Sequence, residues 1–181
     1  TPKIERLQGS TEAREILVKR AVEYLDSLAQ ESQNDFQLQS ELASAYEKIG
    51  DLQGNPNKPS LNDYSGAIES YQKARNIRLN LPQTAENQQL LAENYRRYSD
   101  AVFTQNDVKG SLESSLESLK IYEKLLTENP NSFELQIAFI ETNLQYGTTH
   151  SINNKYSEAI PIFEKSILDL ARLDQNNRET L

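Results

Sequence analysis

A chain of 181 residues is long enough for one ordinary domain or a short array of repeats. It carries 19 Lys and Arg against 27 Asp and Glu, a formal charge of -8, so nucleic acid and anionic membrane surfaces, which need clustered cations, are poor partners. Cysteine is absent, which removes disulfides, thiolate metal sites and cysteine nucleophiles together and leaves the compartment open.

Apolar residues make up 36% of the chain, low for a compact globule but suited to a solenoid whose layers touch only their neighbours. No apolar run is long enough to enter a bilayer. With Thr rather than Met at position 1 and no signal-peptide core, the sequence reads as a piece of a longer protein. Residues 1–10 read as an N-terminal tail, 11–173 as a helical repeat domain, and 174–181 as a tail or the start of a further repeat.

Taken in chain order, nearly every stretch shows apolar residues at i, i+3 and i+4, the period of an amphipathic helix. Ile16, Leu17, Ala21, Leu25 and Leu28 mark a first helix over about 11–32. Phe36, Leu38, Leu42, Ala45, Tyr46 and Ile49 mark a second, stopped near Gly50–Gly54. Leu61, Tyr64, Ala67, Ile68, Tyr71 and Ala74 give a third, ended by Pro82. Leu91, Tyr95, Tyr98 and Val102 give a fourth; Val108, Leu112, Leu116, Leu119 and Tyr122 give a fifth, stopped at Asn129–Pro130. Phe133, Ile137, Ile140 and Leu144 give a sixth. Tyr156, Ile160, Phe163, Ile167 and Leu170 give a seventh, with Pro161 inside it as a mild kink. No stretch alternates with period two for long enough to argue a strand. Short breaks make consecutive helices antiparallel neighbours.

The helices repeat. Leu42–Tyr46 aligns with Leu91–Tyr95, Phe36–Gln39 with Phe133–Gln136, and Asp63–Ser70 with Asp107–Ser114. Self-similarity at this scale signals stacked supersecondary units. Tyr146-Gly147, His150, Tyr156, Ala159, Phe163 and Ser166 resemble the tetratricopeptide pattern, with 12 positions from Gly147 to Ala159 and 4 from Ala159 to Phe163. Small residues at those places let two helix axes approach while Phe163 fills the gap beside them. Gly50, Ala67, Tyr71 and Ala74, then Ser99, Ser111, Ser115 and Ser118, take the same parts in the other units, and the first helix resembles the second helix of an earlier unit. The resemblance implies an all-α solenoid of antiparallel hairpins with a right-handed superhelical course. The units are 48 and 49 positions apart, above the usual repeat of about 34. The first also carries five extra residues within 54–60, read as a surface loop because Gly, Asn and two prolines cannot continue a helix.

A narrower resemblance lies in Ala45–Pro56, followed by Gly66-Ala67-Ile68 and Tyr71. It is similar to the repeat region that follows the kinase domain in some bacterial membrane-anchored serine/threonine kinases. That implies a sensory or scaffolding segment, extracytoplasmic if it is attached to such an anchor. The glycine-rich loop, His-Arg-Asp and Asp-Phe-Gly of a kinase do not occur in this chain.

Candidate chemistry is thin, and no cofactor is expected. His150 is the sole histidine, so neither a His metal cluster nor a Ser–His pair can be assembled, and a place on the packing face suits it better. Carboxylate pairs such as Glu12 and Glu15 read as solvated helix faces. Gly50, Gly54 and Gly66 form no phosphate loop, since no Gly-Lys-Ser/Thr follows. The tyrosines read as core with exposed hydroxyls.

The expected function is therefore a protein-interaction scaffold rather than an enzyme, with a self-associating structural module as the alternative. A polar face on a terminal helix would favour the scaffold, an exposed apolar stripe there the self-association. The tetratricopeptide resemblance implies a concave groove lined by first helices. Its positions here are Glu47 and Asp51, Arg96 and Asp100, and Leu144 and Thr148, with Glu93 beside Arg96 to neutralise it. The Lys and Asn with which chaperone-binding members clamp a C-terminal carboxylate are missing. A basic or neutral segment is the expected ligand.

Overall fold

Five of the helices begin on a side chain that accepts a hydrogen bond from the first turn. Asp35 takes the N–H of Leu38, Asp63 that of Gly66, Thr84 that of Asn87, Asp107 that of Gly110 and Ser132 that of Leu135. Each cap satisfies one of the backbone donors that a helix start leaves over. In the computed structural model, which describes residues 2–31 and 35–179 (side chains from 11 to 174 among these), these caps delimit an all-helical chain. Its order is α1 (Pro2–Glu31), α2 (Phe36–Gly54), α3 (Tyr64–Asn80), α4 (Ala85–Thr104), α5 (Val108–Glu128), α6 (Phe133–Ile152) and α7 (Tyr156–Glu179). No strand occurs among the described residues.

The helices α2 with α3, α4 with α5, and α6 with α7 pack as hairpins, the first joined through residues 55–63 and the other two by the short turns 105–107 and 153–155. The chain divides into two compact units, Thr1–Gln83 and Thr84–Leu181. The first holds α1 and the α2–α3 hairpin, the second the other two hairpins.

In the first unit Ala43, Tyr46 and Ala74 form a buried cluster against Leu25 and Ile77. A methyl group at Gly50 would sit 2.6 Å from the Tyr71 ring, so the absent side chain lets α2 and α3 approach. In the second unit Ala92, Tyr122, Leu125 and Leu135 form the cluster, with Ile121, Leu126, Ala138 and Phe139 packed on it. Gly147 repeats the role of Gly50: a methyl group there would lie 2.9 Å from the Phe163 ring. Between α4 and α5 the closeness is polar. Ser99 Oγ is 2.9 Å from the Ser111 hydroxyl and 2.8 Å from that of Ser115, it donates to the Ser111 carbonyl, and Ser118 donates to the Ala92 carbonyl.

Each hairpin turn has the same backbone device. Asn62, Asn106 and Asn154 all sit at φ near +60°, the left-handed region, just ahead of the second helix. Asn tolerates that conformation better than other side chains. In the first two turns the capping Asp and a Gly three positions on follow, and a Cβ at Gly66 or Gly110 would collide with that Asp.

Several expectations change. α1 starts at Pro2, so most of residues 1–10 is helical, while its expected end at residue 32 lies outside the described residues. Ile16 and Leu17 are 57% and 68% exposed, because α1 packs on α2 with only its Val18–Val22–Leu25–Ala29 side half-buried. Leu61 precedes α3 rather than joining it. The insertion is not wholly a surface loop: Gly54 ends α2 and is buried with Asn55, whereas Pro56–Pro59 are exposed. The tyrosines Tyr46 and Tyr71 do not show their hydroxyls to water alone; each donates to a carboxylate, Asp26 at 2.7 Å and Asp51 at 2.8 Å.

Candidate partner-binding surface

The positions proposed for the groove come from the first helices of the hairpins, and their surroundings differ sharply. Glu47 is buried. Its two oxygens accept from Arg78 Nε and NH2, both at 2.7 Å, and the Arg78 side chain is fully enclosed with Ser44 3.1 Å away. A carboxylate held in a two-point grip inside the hairpin cannot face a ligand. This corrects the expectation that Glu47 contributes an open negative charge, and it follows from Arg78, one of the charged residues whose place in the interior its sequence neighbourhood conceals.

Asp51 is also committed. It accepts from the Tyr71 hydroxyl, from Asn55 Nδ2 at 3.2 Å and from Lys58 Nζ at 3.4 Å. Its work is to tie the insertion back onto the α2–α3 hairpin.

The remaining five lie on α4 and α6 of the second unit. Glu93, Arg96 and Asp100 lie at i, i+3 and i+7 on α4, and Glu141, Leu144 and Thr148 occupy the same places on α6, 48 positions later. Such spacing puts each trio on one helix face. Arg96 bonds Glu93 with Nε at 3.2 Å and NH2 at 2.8 Å, Asp100 is 3.8 Å away, and Arg97 Nε reaches Glu93 at 3.0 Å. Burial works to raise the Glu93 pKa, but the hydrogen bond and charge of Arg96, with Arg97, outweigh it and hold the carboxyl below its usual range. Burial likewise works against charge on Arg96, and Glu93 and Asp100 more than offset it. Leu144 is half-buried, and Thr148 is exposed with its hydroxyl donating to the Leu144 carbonyl.

Sequence reasoning missed Tyr122. Burial, then the charges of Glu93 and Glu141, push its hydroxyl pKa up, while Arg96 and Arg97 pull the other way. The phenol from α5 thus stands among charged groups of both α4 and α6. Its place on an apolar stripe announced only core. His150 is buried on the packing side, its ring edge-on to Tyr146 with centroids 4.6 Å apart.

Glu12 and Glu15 are exposed on α1. Among the described residues no group of three or more His, Cys, Asp or Glu side chains is placed to hold a metal ion. No helix in the described residues is long and apolar enough to cross a membrane.

The arrangement defines an all-helical hairpin repeat with a charged face on the first helices of its second unit. No protein-family model matches the chain, and no curated protein matches it. Among solved structures the chain is similar to one described as the crystal structure of MamA, at 15% sequence identity, over 83% of this chain and 87% of that one, with a TM-score of 0.32.

Proposed function

We propose that the chain is a non-catalytic protein-interaction module that takes a basic or neutral peptide segment of a partner along the α4–α6 face, as a regulatory or sensory part of a larger protein. The observation that carries this reading is the local charge balance: Glu93 and Asp100 together offset Arg96 and Arg97, so α4 offers no net positive charge to an acidic ligand. Glu141 adds a further exposed carboxylate on α6. On the narrower resemblance alone, we propose that the larger protein is a membrane-anchored kinase; a kinase domain with a membrane span encoded in the same gene would support this, and their absence would remove it.

A peptide array probed at two ionic strengths tests the binding. Basic and neutral peptides should be retained, less so at high salt, and Asp100→Lys should weaken the basic ones. Preference for acidic C-terminal peptides, unchanged in Asp100→Lys, would sink the reading.

Self-association is favoured separately by α1, where Leu17 and Tyr24, each 68% exposed and seven positions apart, form an uncovered apolar stripe. Sedimentation of the wild type against Leu17→Ser would show a dimer that the substitution disperses.

A further inference from the structure

The second helices of the last two hairpins carry apolar residues at equivalent places, 48 positions apart, with opposite fates. On α5, Leu119 and Tyr122 are buried, 7% and 1% exposed, and Val108 and Leu112 are half-buried. On α7 their counterparts Ile167 and Leu170 are 63% and 38% exposed, and Tyr156 and Ile160 are 55% and 54% exposed. Residues 156, 160, 167 and 170 fall within one narrow stripe of a helix.

What covers α5 around Tyr122 is visible. α6 packs there and brings Leu135, Ala138 and Phe139 to the cluster around Tyr122, with Thr142 buried one turn further on. The covering element is thus a helix that presents Leu, a small residue, an aromatic and a small residue at i, i+3, i+4 and i+7.

From this equivalence we infer that the α7 stripe is a docking site for an amphipathic helix of a partner protein, with the same Leu–small–aromatic–small face and basic flanks. The flanks follow from the rim. Where α5 has Leu116, α7 has the exposed carboxylate Glu164.

A second copy of this chain is a poor occupant. Its helices of the covering type, α2, α4 and α6, are each already packed within a hairpin. Releasing one would unfold the copy that supplied it. This surface is separate from the charged α4–α6 face, and its variants leave that face intact.

The test uses the full chain and a fluorescent synthetic peptide of residues 132–153 carrying Glu134→Lys and Glu141→Lys, followed by fluorescence anisotropy. Saturable binding is expected, weakened about tenfold or more by Ile167→Ser and again by Ile160→Ser, and weakened by Glu164→Lys. These side chains are exposed, so circular dichroism should show unchanged helicity in each variant. Asp100→Lys should leave this binding unaltered, which separates it from the peptide groove. Absence of saturable binding, or equal affinity in folded Ile167→Ser and Ile160→Ser, overturns the inference. So does a dimer in sedimentation that Ile167→Ser disperses, since the occupant would then be a second copy.

Discussion

At the scale of single residues, the enclosed Arg78–Glu47 pair carries the most consequence. Two charges out of water are tolerable only while each neutralises the other, so removing one partner strands the other. Arg78→Met should lower the unfolding free energy by about 3–5 kcal/mol in urea titrations, whereas Arg78→Met combined with Glu47→Leu should recover most of it. His150 gives a second case. Burial depresses its pKa below 6.5, with Glu158 opposing and Lys155 adding to the shift, and its Nδ1 has no hydrogen-bond partner. The unfolded chain therefore binds the proton more readily than the folded one. The His150 contribution is present in full above pH 6.5, declines as pH falls through that value, and levels off below the folded pKa. Stability measured between pH 7.5 and 5 should fall in the wild type and stay flatter in His150→Gln, because the carboxylates titrate lower still.

At the scale of elements, the glycines of the hairpins divide by mechanism. Ala in place of Gly inside a helix ordinarily gains about 1 kcal/mol of propensity. At Gly50 the added methyl meets Tyr71 at 2.6 Å, and overpacking of that kind costs about 1–3 kcal/mol. Gly50→Ala should therefore lower the thermal midpoint despite the better helix former, and a rise would show that α2 and α3 have room to spare. Replacing residues 56–60 with a short Gly-Ser turn should leave the circular dichroism unchanged, since those residues are exposed or half-buried. Extending the replacement to Gly54 and Asn55 should not, because both are buried and Gly54 lies against Tyr64 and Ala67 of α3. Helix number, order and the small-residue contacts were legible in the sequence because the 3.6-residue period and the small–aromatic spacing are local. What escaped was anything set by a partner far along the chain. Glu47 resembled any surface carboxylate until Arg78, 31 positions on, enclosed it, and Ile16 and Leu17 followed the core period on a helix that packs mainly on α2.

At the scale of the whole molecule, a formal charge of -8 sets how it meets other proteins. The long-range field of a negative chain accelerates encounter with basic segments and fades as salt shortens its reach. Association rates for a basic peptide should fall several-fold between about 0.05 and 0.5 M salt, with dissociation rates changing little; stopped-flow mixing would show it. Candidate binding positions were only partly readable at this scale. The sequence indicated which side of each first helix to consider, but charge pairing decides which of those positions still has anything to offer. Asp51 is drawn into the insertion, and Arg96 is shared between two carboxylates.

The serines between α4 and α5 bear on something other than strength. A seam of alanines would permit equally close approach and would leave the two helices free to slide by a turn. Ser99 instead sits within 3 Å of the Ser111 carbonyl and of the Ser111 and Ser115 hydroxyls, and receives Gln145 Nε2 from α6 at 3.1 Å. Any axial slip would strip those groups of partners in a place that water cannot reach, so the seam acts as a registry key. A Ser99→Ala, Ser111→Ala, Ser115→Ala triple variant should keep its helix content yet show broadened amide resonances in α4 and α5, the signature of a hairpin that no longer has a single alignment.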